Sequence, residues 1–189
     1  MDAFTTSAAV VALAEIGDKT MLLAIVLATR FRRPLPIIMG ILVATIANHA
    51  IAAFLGEAVA GLLDGEWFRY AVGAGFIAMA AWTLVPDKLD DDESPAPSRF
   101  GAFLTTLVAF FIVEIGDKTQ IATIALGAQF RDVAMVTAGT TAGMMLANVP
   151  AVFLGHRIVE WVPLKVVRSI AALMFLAIGA WVILETAAG

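Results

Sequence analysis

Glu15-Ile16-Gly17-Asp18-Lys19-Thr20 recurs as Glu114-Ile115-Gly116-Asp117-Lys118-Thr119, and each copy lies inside a stretch apolar enough to span a bilayer. An ionisable side chain at the centre of a membrane costs about 3 kcal/mol unless it finds a partner, water or an ion. Four carboxylates and two ammoniums placed there therefore mark a functional site rather than a packing detail. An internal Glu/Asp–Lys salt bridge that only stabilises a bundle is the weaker reading.

Outward from the hexapeptides, the chain is apolar throughout. Of 189 residues 61% are hydrophobic, the mean hydropathy is +0.92, and runs of about 20 apolar residues recur. Runs bounded by charge or by Pro and Gly give six spans near 5–29, 36–61, 68–86, 101–128, 133–155 and 164–186. The expected fold is an all-α integral membrane protein. Its lipid-embedded chain has a stretch rich in Asp and Pro, 87–99, as the single hydrophilic linker. The start, Met1 to Ser7, lacks the basic stretch of a cleavable signal peptide, so the first span is expected to be a mature helix.

Charge and composition narrow the function. No basic stripe suggests nucleic acid, and the absence of cysteine excludes disulfides, thiolate metal sites and cysteine nucleophiles. Oxygen and imidazole remain as strong metal ligands, with methionine thioethers as weak ones. The first, third and fifth connections carry eight Lys and Arg residues, whereas the other side carries only Arg69 and Arg131. By the positive-inside rule the eight-charge side is cytoplasmic, which puts both termini outside and the acidic linker inside.

The repeat extends well past the hexapeptide. An offset of 99 residues carries Glu15 onto Glu114, Phe31-Arg32 onto Phe130-Arg131, Gly40 onto Gly139, Phe54-Leu55-Gly56 onto Phe153-Leu154-Gly155, Arg69 onto Arg168 and Ala81-Trp82 onto Ala180-Trp181. Three spans per unit is an odd number, so the second unit enters from the opposite side. The expected architecture is six transmembrane helices as two inverted-topology three-helix repeats, 1–86 and 100–189, joined by 87–99. The hexapeptides would then meet near the midplane. In the second span of each unit Ala47-Asn48 matches Ala147-Asn148 only after a one-residue shift, and without that shift His49 opposes Asn148. Pro150 predicts a break that frees the carbonyl of Leu146 as a further ligand.

On a continuous helix Glu15, Asp18 and Lys19 fall at i, i+3 and i+4 and share a face, as do Glu114, Asp117 and Lys118. Gly17 and Gly116 would let the helices approach closely. Two such faces supply four carboxylates, with Thr20, Thr119, Asn48 and Asn148 as neutral oxygens, a hard ligand set that suits Ca²⁺, Mn²⁺ or Mg²⁺. Four negative and two positive groups leave two charges for one divalent ion to neutralise. Protons bind such acids when the cation is away and a cation competes with them, so rocking of one repeat against the other would give exchange. Lys19 and Lys118 suit gating or structural counter-ions equally well, and Asn48 and Asn148 suit coordination or interhelical hydrogen bonding. Gln120 stands where the first copy has Met21, so the halves need not work alike. His49 reads as a packed polar residue or a proton relay, and Met144, Met145, Trp82 and Trp181 as core or lipid contacts.

Both hexapeptides satisfy the pattern Glu-x-Gly-Asp-(Lys/Arg)-(Thr/Ser), and with the six-span, two-repeat layout the whole chain resembles the Gdt1-like membrane transporters, also called uncharacterised protein family 16. The resemblance implies export of Mn²⁺ and/or Ca²⁺ from the cytoplasm in exchange for protons, with Glu15, Asp18, Lys19, Thr20, Glu114, Asp117, Lys118 and Thr119 as the motif residues. It implies no enzymatic activity and no prosthetic group; the partners are divalent cations, protons and the lipid bilayer, with a second copy of the chain as an open candidate. A short chain of this kind resembles the prokaryotic members, which places it in a bacterial inner membrane. Two other readings compete. An intramembrane aspartyl protease would use a Gly-x-Gly-Asp motif, but Glu15 stands where its first glycine belongs. An exporter of an amino acid or other small solute, as in the lysine-exporter superfamily, fits the repeat but not the four central acids.

Overall fold

The computed structural model describes residues 2–63, 65–86, 101–155, 157 and 163–188, which leaves the acidic linker 87–99 outside the described residues. Among these the chain is all helical, with eight helices and no strand. They are α1 (Ala3–Glu15), α2 (Lys19–Phe31), α3 (Pro34–Leu62), α4 (Glu66–Thr83), α5 (Ala102–Glu114), α6 (Lys118–Phe130), α7 (Val133–Leu154) and α8 (Leu164–Ala188). Three of them, α3, α7 and α8, are long and apolar enough to cross a membrane.

The first and fourth expected spans differ from expectation. Each is two 13-residue helices rather than one, parted at the hexapeptide. The cause is local. Gly17 and Gly116 take φ of +83° and +79°, the left-handed region that only glycine enters without steric cost, and a residue there ends a helix. Asp18 then starts the next helix as an N-cap, its Oδ1 accepting from the Lys19 amide at 2.7 Å. The amides of Asp18 and Asp117 close the two turns on the carbonyls of Glu15 and Glu114, at 3.0 and 3.1 Å. Both glycines therefore turn the chain, Gly17 also letting Leu164 approach closely while Gly116 meets nothing within 4 Å among the described residues, and Glu, Asp and Lys do not sit on one continuous helical face.

Other ends follow the sequence in the same repeated way. Arg32 and Arg131, one offset apart, both adopt left-handed φ (53° and 50°) and close α2 and α6. Pro34 occupies the first turn of α3, where its missing amide costs nothing. Pro150 does not break α7, which runs on to Leu154; having no amide, it still leaves the Leu146 carbonyl without its helical donor, and the Leu146 side chain is exposed rather than buried with the acids.

Contacts between the halves are reciprocal. A side chain at Gly40 would collide with the Phe103 backbone, and one at Gly139 with the Phe4 backbone, each pair being the other shifted by 99. Phe76 of α4 stacks on its own equivalent, Phe175 of α8, with ring centroids 6.4 Å apart. One core cluster gathers Val11, Leu23, Leu27, Ile41, Phe110 and Met144 around α2, α3 and α7. Another joins Phe76 and Phe175 to Leu126, Val136, Ile178 and Val182. Large apolar side chains such as Phe54, Leu62, Phe153, Leu173 and Leu184 point outward, a surface that suits lipid and not water.

Candidate cation site

The four ends of the broken helices converge inside the bundle. The C-terminal end of a helix carries partial negative charge, and α1 and α5 end on Glu15 and Glu114, so backbone and side chains together favour a cation there. Glu15, Glu114 and Asp117 are all buried, and each offers an oxygen within 4.8 Å of the others. Ligands about 2.1–2.4 Å from one ion lie about 3–3.4 Å apart when adjacent and about 4.2–4.8 Å apart when opposite. The trio therefore matches the span of one hard cation's ligand shell.

Each glutamate is held by its own motif. Thr20 Oγ1 donates to Glu15 Oε2, and Thr119 Oγ1 donates to Glu114 Oε1. Each also meets a nitrogen-bearing side chain from the other half: Asn148 Nδ2 is 3.4 Å from Glu15 Oε2, and His49 Nε2 is 3.5 Å from Glu114 Oε1. The remaining oxygens, Glu15 Oε1, Glu114 Oε2 and Asn148 Oδ1, are buried and have no hydrogen-bond partner among the described residues. Buried acceptors are nearly always paired, so three together are the arrangement a cation satisfies.

The other expected residues are distributed unevenly. Lys19 Nζ reaches across to Asp117 Oδ1 at 3.8 Å. Lys118 donates to the Val85 carbonyl at 2.9 Å, with its ammonium 5.9 Å from the centre of the Trp82 ring. Asp18 caps α2, and its counterpart Asp117 makes no capping bond among the described residues but joins the acids. Gln120 Oε1 accepts from the Gly116 amide at 2.7 Å, tying down its own turn. Asn48 Nδ2 donates to the Phe111 carbonyl at 3.1 Å, which is the interhelical bond rather than a place among the acids.

His49 is thus the residue that faces the acids where the sequence offered two choices. The signal was present: the plain 99-residue offset pairs His49 with Asn148, and the one-residue shift that pairs the asparagines is the misleading alignment. Met144, fully buried with Sδ 2.9 Å from Asn148 Nδ2, lies beside the same site.

Comparison with known proteins follows the same lines. The chain matches the family described as "Divalent cation/proton antiporter GDT1" over residues 3–91 and 102–189. It is 50% identical to the "Putative manganese exporter" of Vibrio cholerae over 93% of this chain and 88% of that one. It is 29% identical to GDT1-like protein 5 of Arabidopsis thaliana, covering 95% and 94% of the two chains. A GDT1-like protein of Synechocystis is 27% identical over 93% of each. No solved structure matches.

Proposed function

This chain belongs to the GDT1 family of divalent cation/proton antiporters, and we propose that it exports Mn²⁺, with Ca²⁺ as a second cargo, from the cytoplasm in exchange for protons. Membership in a transporter family leaves the intramembrane protease reading without support, and the protein is a multi-pass membrane transporter rather than an enzyme. The observation that carries the proposal is the buried trio Glu15, Glu114 and Asp117, one carboxylate from the first motif and two from the second, spaced as ligands of one ion.

Glu15, Glu114 and Asp117 bind the cation directly, with Asn148 Oδ1 and the hydroxyl oxygens of Thr20 and Thr119 as neutral donors. Asp18 sets the start of α2 and holds a second acid near the path. Lys19, salt-bridged to Asp117, competes with the cation for that carboxylate and so acts as gate: cation entry displaces the ammonium. Protons occupy the acids when the cation has left, since adjacent buried carboxylates cannot all stay charged without a counter-ion.

The halves 1–86 and 100–189 act as two inverted-topology repeats of three spans each. The reciprocal contacts Gly40–Phe103 and Gly139–Phe4 support this reading, as does the stacking of Phe76 on Phe175. In that arrangement each broken pair, α1–α2 and α5–α6, is one interrupted span, which is how transporters bring ligands to the midplane. The cation bias of the connections puts both termini on the outer face of a bacterial inner membrane. Amino-acid export remains the competing cargo, and three buried carboxylates with Lys19 as the ammonium beside them favour an inorganic dication. Uptake by everted vesicles across a panel of metals and pH values tests the proposal. Mn²⁺ uptake that rises with the imposed proton gradient is expected, and uptake indifferent to that gradient would refute proton coupling.

A further inference from the structure

A buried imidazole borders the acids. His49 is completely buried on α3, its Nε2 lies 3.5 Å from Glu114 Oε1, and neither ring nitrogen has a hydrogen-bond partner among the described residues. A buried imidazole without partners is costly, because one nitrogen needs a donor and the other an acceptor. The separation from Glu114 is close to that of adjacent ligands on one ion, about 3–3.4 Å. At the equivalent place in the other half stands Asn148, whose nitrogen is a donor and cannot ligate a metal. The surroundings of the two glutamates therefore differ, with an amide beside Glu15 and an imidazole beside Glu114.

Resting on the cation-transport reading above, we infer that His49 ligates the transported cation together with Glu114 and biases the site toward first-row transition dications, Mn²⁺ among them, over Ca²⁺. Hard oxygen donors alone accept Ca²⁺ and Mn²⁺ alike, whereas an imidazole nitrogen adds affinity along the first-row series, least for Mn²⁺, and less still for the purely oxygen-seeking Ca²⁺. His49 thus decides between the two cargoes that the carboxylates do not distinguish.

Electron spin echo modulation on bound Mn²⁺ tests the ligand directly. The chain has 2 histidines, so a His156→Asn protein with its purification tag removed leaves His49 as the one source of imidazole. Mn²⁺ bound to this protein should show histidine nitrogen modulation that changes character when the histidine is ¹⁵N-labelled. Mn²⁺ bound without that modulation would overturn the inference while leaving the transport reading intact, and failure of Mn²⁺ to bind at all would remove both. Transport supplies a second readout in proteoliposomes. His49→Asn, which copies the residue at position 148, should raise the Mn²⁺ concentration for half-maximal flux by about tenfold and leave Ca²⁺ within about twofold. Equal losses for both cations would mean that His49 only packs, and no loss for either would mean that it takes no part in binding.

Discussion

The two hexapeptide turns have the same sequence and the same local fold, yet one is covered and the other is open. At the first, Gly17 is buried, the Leu164 side chain lies directly over it, and Arg168 Nη2 donates to its carbonyl at 3.3 Å. At the second, Gly116 is exposed, a side chain added there would meet nothing within 4 Å among the described residues, and Ile115 is 59% exposed. The difference lies in what covers the turns. Leu164 and Arg168 correspond by the 99-residue offset to Gly65 and Arg69. Glycine has no side chain to lay over a turn, and Arg69 sits 3.7 Å from Glu185 instead. The acids beneath the two turns are buried alike, so the difference lies in the cover of the turns and not in the exposure of the carboxylates.

The largest effect should fall on the acids, where the halves ought to behave alike despite their different cover. Glu15→Gln and Glu114→Gln should each reduce Mn²⁺ flux in proteoliposomes to about one hundredth or less, since losing a ligand should cost more than the 10–100-fold typical of supporting residues. A variant that kept most of its flux would show that the trio is not one site. Below that come the threonines, whose hydroxyls bond the two glutamates in the same manner. A bond to a charged group is worth about 1.5–3 kcal/mol, so Thr20→Val and Thr119→Val should each weaken apparent Mn²⁺ affinity about ten- to hundredfold. Unequal losses would show that the covered and open halves do not share the ion.

The cover itself gives a smaller, sharper test. The chain has no cysteine, so Ile16→Cys and Ile115→Cys can be labelled separately with a membrane-impermeant thiol reagent. Position 115 should react readily and position 16 slowly, and Arg168→Ala should speed labelling at position 16 several-fold without changing position 115. Equal rates in the starting protein would erase the distinction. The smallest effect is on stability. Gly17→Ala and Gly116→Ala both force alanine into left-handed φ at about 1–2 kcal/mol, but only the first also presses on Leu164. Thermal unfolding in detergent should therefore rank Gly17→Ala as the more damaging, and the reverse order would place the cover elsewhere.

Much of this site was readable before any coordinates, because charge inside apolar runs and a fixed offset are both properties of the chain itself. What hydropathy did not disclose was the break. A Glu-Ile-Gly-Asp stretch flanked by apolar residues fits a continuous span, and only the pairing of a helix-ending glycine with a helix-starting aspartate hints otherwise. The choice between Asn48 and His49 turned on one residue of register, which packing against Phe111 and Glu114 decides. The partners of Lys118, at Val85 and Trp82, and the cover of Gly17 by Leu164 and Arg168 join residues far apart in sequence. No local pattern announces contacts of that kind. Asp18 and Asp117 make the point most plainly: identical in motif, one caps a helix and the other joins the acids.

In the proposed mechanism, carboxylates from both motifs form one site where a dication and protons displace each other. Proteoliposomes holding a pH-sensitive dye and subjected to a Mn²⁺ gradient test it most directly. The account predicts proton movement opposite to Mn²⁺ in the starting protein and its loss in Asp117→Asn. Mn²⁺ flux without proton movement, or equal coupled flux in the variant, would contradict it.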